Sequence, residues 1–126
     1  MFGENNFSTT EDCMIYVDSH DIRFALSHAI ASLDCDESDN GAVIVRGGIE
    51  IRAAHNDYGT PDDSGPDEFL QWWTVLEIIP LHNALEGKVR EVSERILLSL
   101  WGVPLRAVAA CDFKLELPHR GGIDLY

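Results

Sequence analysis

Hydrophobic residues recur at alternating steps of three and four in two stretches of the chain, residues 22–33 and 85–100. This spacing is typical of one face of an α-helix. Asn83 precedes the second stretch, with a glutamate three residues later, which resembles a helix-capping box. The pattern predicts helices over residues 19–33 and 83–101.

The other hydrophobic runs are short and bounded by turn residues, as expected for β-strands. We predict strands over residues 13–17, 42–46, 49–53, 69–79, 105–110 and, half exposed, 113–117. The 69–79 run is hydrophobic on both faces, so it should be a central strand or have one face covered by a partner. Trp72 should share the face of Leu76, with Trp73 on the opposite face. Either both tryptophans are core residues, or one lines a groove or an interface.

Gly47 and Gly48 separate two of these strands and suggest a hairpin with a two-residue loop. That loop would place Ile44 opposite Ile51. The full order is β-α-β-β-β-α-β, with one more strand at the end. It predicts the α+β class, a mainly antiparallel sheet with two helices on one face. A length of 126 residues fits a single domain over 1–126, in which residues 1–12 are a candidate for disorder.

The chain is strongly acidic, with 22 Asp and Glu against 9 Lys and Arg and a net charge of −13. Such a field repels phosphate backbones, so we expect neither nucleic acid nor an anionic membrane as a partner. It attracts cationic surfaces, which makes a basic protein the expected partner. No apolar run is long enough for a membrane helix, and the first residues lack a secretory pattern, so we expect a cytoplasmic protein.

Two segments contain acidic residues but no Lys or Arg, and we call them the first acidic segment (34–40) and the second acidic segment (55–68). Acids after a helix oppose its dipole, which suggests that they are present for a purpose other than stability. The candidate partner-binding residues are Asp57, Asp62, Asp63, Asp67, Glu68, Trp72, Trp73, Asp34, Asp36, Glu37 and Asp39.

The familiar catalytic and nucleotide-binding motifs are missing from the sequence. We therefore predict no catalytic residue, cofactor or metal ion. An alternative is a small hydrolase or metal-dependent enzyme that uses His55, Asp57 and Cys111. The cysteines are odd in number and scattered, as expected for reduced thiols, although a bridge between Cys13 and Cys35 remains an alternative.

The run Val-Ala-Ala-Cys-Asp-Phe-Lys-Leu-Glu-Leu-Pro over residues 108–118, followed by Gly121 and Gly122, is similar to the tail of small bacterial proteins. With the tryptophan-rich strand upstream, the second half of the chain resembles small acidic immunity-type proteins that neutralise toxins. The resemblance implies an immunity or antitoxin-type inhibitor of a basic partner, possessing no catalytic residue. A third hypothesis is a homo-oligomeric accessory protein, such as a homodimer, that pairs through an exposed strand.

Overall fold

The computed structural model describes residues 12–37, 42–56, 72–82, 84–85 and 87–125, and within them six strands form one sheet. The strands are β1 Cys13–Val17, β2 Cys35–Glu37, β3 Ala42–Val45, β4 Ile49–His55, β5 Thr74–Pro80 and β6 Ala107–Ala110. The helices are α1 Ile22–Ala29 and α2 Lys88–Gly102.

The sheet order is β2-β3-β4-β5-β1-β6, and every neighbouring pair runs antiparallel. Both helices pack against the same face, where they share one hydrophobic core with the inward residues of the strands. The predicted α+β class is confirmed, as is the interior position of β5. We call the covered side the helix-covered face.

The first helix is shorter than predicted, since α1 begins at Ile22 and ends at Ala29 rather than spanning 19–33. The Asp21 carboxylate accepts a 3.0 Å hydrogen bond from the Phe24 N–H, which caps the first turn. Ile30 and Leu33 continue the hydrophobic spacing and still pack against the core, although they lie in turns. Hydrophobic spacing alone therefore overestimated the helix.

The second helix begins at Lys88 rather than at residue 83, and Asn83 lies outside the described residues. Gly87 occupies the N-cap position with a φ of 84°, a left-handed conformation that glycine adopts readily. Leu85 was predicted on the buried stripe, but it precedes the helix and is 73% exposed. The remaining stripe, from Val89 to Leu100, is buried as predicted.

The hairpin register differs from the prediction by one residue. Val43 pairs with Ile51 and Val45 with Ile49, so the loop has three residues, 46–48, rather than two. This register directs both valines toward the core and leaves Ile44 exposed on the opposite face. Two buried valines facing two buried isoleucines bury more apolar surface than the predicted pairing would.

Two segments beyond the predicted core differ from what the sequence indicated: a strand that was not predicted is present, and a predicted strand is absent. The first acidic segment contains a strand, β2, which pairs with β3. The run at 113–117 is not a strand, because residues Lys114–Glu116 form a 3-10 turn. Leu117 beyond this turn is buried while Leu115 is exposed, so alternating hydrophobicity here reflects a turn that packs one side on the core.

Candidate binding site at the loop end of the sheet

The second acidic segment connects β4 to β5 at one end of the sheet. Residues 57–71 lie outside the described residues, but both points where they join the fold are described. We call this region the loop end. It comprises the β1–α1 turn and the residues beside the connection: Ser19, His20, His55, Asn56, Trp72, Trp73 and Thr74.

Asn56 holds the two ends of the β4–β5 connection together. Its backbone N–H donates to the carbonyl of Trp73, and its side-chain Nδ2 donates to the carbonyl of Trp72, each at 2.7 Å. The residue is buried, so these bonds are shielded from competing water. The acidic connection therefore leaves from a closed, hydrogen-bonded base.

Thr74 ties this base to the β1–α1 turn. It is fully buried, and its hydroxyl donates to the Ser19 carbonyl at 2.6 Å. Ser19 is also buried and is held by a bond from its N–H to the Val17 carbonyl at 2.9 Å. Because buried polar groups are costly when unpaired, these bonds fix the relative position of the two connections.

Trp73 is half buried and contacts two imidazole rings. His20 stacks on it with ring centroids 4.9 Å apart and planes 4° from parallel. His55 lies 4.1 Å away at a 53° tilt. Both histidines are exposed, so the three rings form an aromatic surface at the loop end. Such a surface can stack on planar groups and attract a cation.

Trp72 is 6% exposed, so it is a buried structural residue and is not part of an accessible surface. It packs with Val108 on the face opposite the helices, not beside Leu76 as predicted, because β5 begins only at Thr74. The Arg106 guanidinium lies 5.0 Å from its ring centroid and also bonds Asp18 at 2.9 Å from Nε. Of the two tryptophans, Trp73 alone has the partial exposure that a partner contact requires.

The acidic candidates are divided between the two ends of the sheet. β2 and β4 run in the same direction on either side of β3, but Glu37, the last residue of β2, is level with Ile51, four residues before the end of β4 at His55. Glu37 and His55 are therefore separated by two strand spacings, about 10 Å, across the sheet and by four residues, about 13 Å, along the strands. Of the two acidic connections, the β4–β5 connection, with five candidate acids, therefore leaves from the loop end. The β2–β3 connection, with Asp39, joins β3 at Ala42, which is level with Met14 near the other end of β1.

Asp34 lies farther still from the loop end. It precedes β2 at the far end of the sheet, where it is exposed and pairs with Arg46 at 3.0 Å. Asp36 and Glu37 lie on β2 itself. Five candidates in the second acidic segment, Asp57, Asp62, Asp63, Asp67 and Glu68, lie outside the described residues together with Asp39.

The residues of the alternative enzyme hypothesis are not all brought together. His55 lies opposite Thr74 at the loop end. Cys111 follows the last residue of β6, at the other end of the sheet, about 13 Å away along the strands alone. Across the described ranges, no group of three His, Cys, Asp or Glu side chains could hold a metal ion.

Four residues of the loop end were not among the predicted site residues: Ser19, His20, Asn56 and Thr74. Arg106, which lies against Trp72, was not predicted either. Asn56 stands immediately before the acid run, and a turn-favouring residue at that place was the available signal. Arg106 is 88 residues from Asp18 in sequence, so nothing local indicates their pairing.

Comparisons of the chain with protein-family models, with curated proteins and with solved structures find no match. Within the described ranges, no helix has both the length and the apolar composition needed to cross a membrane. A function for this chain must therefore be supported by its own residues and their arrangement.

Proposed function

We propose that this protein is an acidic binding module of the immunity or antitoxin type that inhibits a basic partner protein. One observation carries the proposal: the β4–β5 connection, with five candidate acids and without Lys or Arg, leaves the sheet at the loop end, beside the half-buried Trp73. The net charge of −13 gives the whole molecule the sign that attracts a basic surface.

The carboxylates would act mainly on association. Clustered charges of one sign raise the rate at which an oppositely charged partner arrives, and salt screens this effect. At about 0.15 M ionic strength the screening length is about 8 Å, so only charges near the contact keep their influence. Because five candidate acids belong to the β4–β5 connection, that influence is concentrated at the loop end.

Trp73 would act mainly on dissociation. Its ring already stacks with His20 and His55, so it is held in place before a partner arrives. An arginine or lysine of the partner can lie against an aromatic surface of this kind. Tryptophan is enriched among the residues that dominate binding energy, and their loss shortens the lifetime of a complex.

The closed base at Asn56 lowers the cost of binding. A connection whose ends are fixed at 2.7 Å hydrogen bonds loses less freedom on binding than one whose ends move independently. The arrangement therefore supports an inhibitor, which must hold its partner long enough to block it.

The experiment requires a partner captured from the source cell with the tagged protein and then purified. Stopped-flow association is measured for a loop variant, Asp62→Asn, Asp63→Asn and Asp67→Asn, at several salt concentrations. The control variant, Asp12→Asn, Glu94→Gln and Asp112→Asn, changes the net charge equally at exposed positions elsewhere. We expect the loop variant to associate about tenfold more slowly at low salt, with a flatter salt dependence.

Equal association rates for the loop and control variants would show that net charge alone acts, and would overturn the β4–β5 connection as the recognition surface. The inhibitory role has its own readout. The partner's activity should fall in proportion to complex formed, and a complex that leaves this activity unchanged would contradict the immunity role while leaving binding intact.

A further inference from the structure

Two of the three cysteines meet at the end of the sheet opposite the loop end. Met14 on β1 pairs with Ala110 on β6, and one further step in the same register places Cys13 directly opposite Cys111. The Cys13 thiol donates a hydrogen bond to the Cys111 sulfur, with the two sulfur atoms 2.9 Å apart. Both are thiols in this structure.

The register also determines whether Cys13 and Cys111 form a hydrogen-bonded or a non-hydrogen-bonded pair of the antiparallel strands. The Asp18 N–H donates to the Arg106 carbonyl at 2.9 Å, and those two residues are opposite each other. Hydrogen-bonded and non-hydrogen-bonded pairs alternate along antiparallel strands, so Cys13 and Cys111 occupy a non-hydrogen-bonded position. Opposite Cα atoms at such positions lie about 4.5 Å apart, within the range that a disulfide spans.

We propose that Cys13 and Cys111 form a reversible cross-strand disulfide that links the first and last strands of the sheet. The strands already hold the two residues in register, so closing the bond requires no change in strand pairing. This proposal is independent of the acidic binding surface, which lies at the other end of the sheet.

The two sulfur atoms have different environments, and the difference determines which thiol reacts first with an oxidant. Cys111 is half buried, whereas Cys13 is fully buried beneath α2. The hydrogen bond to Cys111, together with burial, raises the pKa of the Cys13 thiol far above its usual range. Cys111 is therefore the sulfur that first meets an oxidant, because attack requires an accessible thiolate.

Ser93 of α2 completes the surroundings of the pair. Its hydroxyl is fully buried and has no hydrogen-bond partner of normal geometry among the described residues. It nevertheless lies close enough to Cys13 to favour the thiolate, opposing the rise in the pKa of that thiol. A hydroxyl in this place can stabilise the charge that develops on Cys13 as it reacts.

With a small-molecule disulfide such as oxidised glutathione as the oxidant, two exchange steps suffice. The Cys111 thiolate attacks one glutathione sulfur, and a glutathione thiolate leaves and takes up the proton that Cys111 released to water. Cys13 then attacks the Cys111 sulfur, breaking the mixed disulfide. The second glutathione leaves as a thiolate and takes the proton from Cys13. Two protein thiols are oxidised, and one glutathione disulfide is reduced to two thiols.

Cys35 is excluded as the partner, which settles the alternative left open by the sequence. It lies on β2, four strand spacings from β1, or about 19 Å across the sheet. A disulfide spans Cα atoms no more than about 7 Å apart. The bridge between Cys13 and Cys35 is therefore incompatible with this fold.

The test incubates the folded protein with a mixture of oxidised and reduced glutathione, followed by acid quenching, alkylation and digestion with trypsin. Cleavage after Arg and Lys leaves the three cysteines in separate peptides, 1–23, 24–46 and 107–114. We expect a mass loss of about 2 Da, from two hydrogens, and a linked pair of peptides 1–23 and 107–114. Cys35→Ser should leave this product unchanged, and Cys111→Ser should abolish it.

The bond should also be visible in stability, because it connects residues 98 positions apart and restricts the unfolded chain. We expect the oxidised protein to melt at least about 5 °C higher than the reduced protein, a difference that dithiothreitol removes. Three alkylated cysteines in every digest would overturn the proposal, as would a mixed disulfide that persists on Cys111. A linked peptide containing Cys35 would overturn both the proposal and the strand order.

Discussion

The helix-covered face and the loop end are built from different kinds of contact. On the helix-covered face, inward residues such as Ile15, Leu76 and Leu97 are apolar and fully buried. At the loop end, the buried contacts are hydrogen bonds from Asn56 and Thr74, and the partly exposed ones are aromatic rings. The difference indicates that the helix-covered face contributes most of the folding stability. The loop end instead presents an aromatic surface that hydrogen bonds hold in place.

The largest loss of stability should come from the helix-covered face. Leu97→Ala on α2 removes a fully buried side chain, and we expect it to lower the free energy of unfolding by about 2–5 kcal/mol. Leu98→Ala is the matched control, because the neighbouring leucine is 51% exposed and should cost less than about 1 kcal/mol. Urea unfolding of both variants measures the difference, and equal losses would show that the buried face is wrongly assigned.

A smaller loss is expected at the loop end from Asn56→Ala. This variant removes the side-chain donor to the Trp72 carbonyl in a buried position, which should cost about 1–3 kcal/mol. Asn56→Asp keeps the shape but lacks the donor, so it should cost at least as much. Hydrogen exchange should show faster exchange at Trp73 and Thr74 in both variants, with α2 unchanged. Uniform changes across the molecule would mean that the loop end is not a separate unit.

The smallest effect is expected for a polar group inside the core. Ser93→Ala removes a buried hydroxyl without a normal partner among the described residues, so stability should change by less than about 1 kcal/mol or rise slightly. Ser99→Ala on the same helix removes a hydroxyl that bonds Ser32 at 3.1 Å, and should be mildly destabilising. A clear loss for Ser93→Ala alone, measured by urea unfolding, would reveal a strong contact with Cys13.

The fold was predictable where burial follows a regular spacing. The stripe from Val89 to Leu100 and the short strand at Cys13–Val17 are present because each buries a continuous apolar face. Segment boundaries were less predictable. Gly87 sets the start of α2 by adopting a left-handed backbone conformation, which the spacing of hydrophobic residues does not indicate. The hairpin at Gly47 was found, but its register depended on which valines face the helices.

The loop end was predictable only in part. The acids of the second acidic segment, with no Lys or Arg among them, predict a binding role for it, and Trp73 is among the predicted partner-binding residues. The contact between His20 and Trp73, and the pairing of Asp18 with Arg106, join residues that are distant in sequence. Such contacts follow from strand order, which local spacing does not determine. The sequence groups Asp34, Asp36 and Glu37 with the other acids, but the register of β2 places all three away from the loop end.

The dissociation rate of Trp73→Ala from the captured partner tests most directly whether the loop end is a binding surface. We expect dissociation about thirtyfold faster than wild type, equivalent to about 2 kcal/mol, with a smaller loss of folding stability than Leu97→Ala. Trp101→Ala is the matched control, because this half-buried tryptophan lies on α2 and bonds the Ala107 carbonyl at 3.0 Å. It should lower stability without changing dissociation. If Trp73→Ala dissociates from the partner at the same rate as the wild-type protein, the assignment of recognition to the loop end is contradicted.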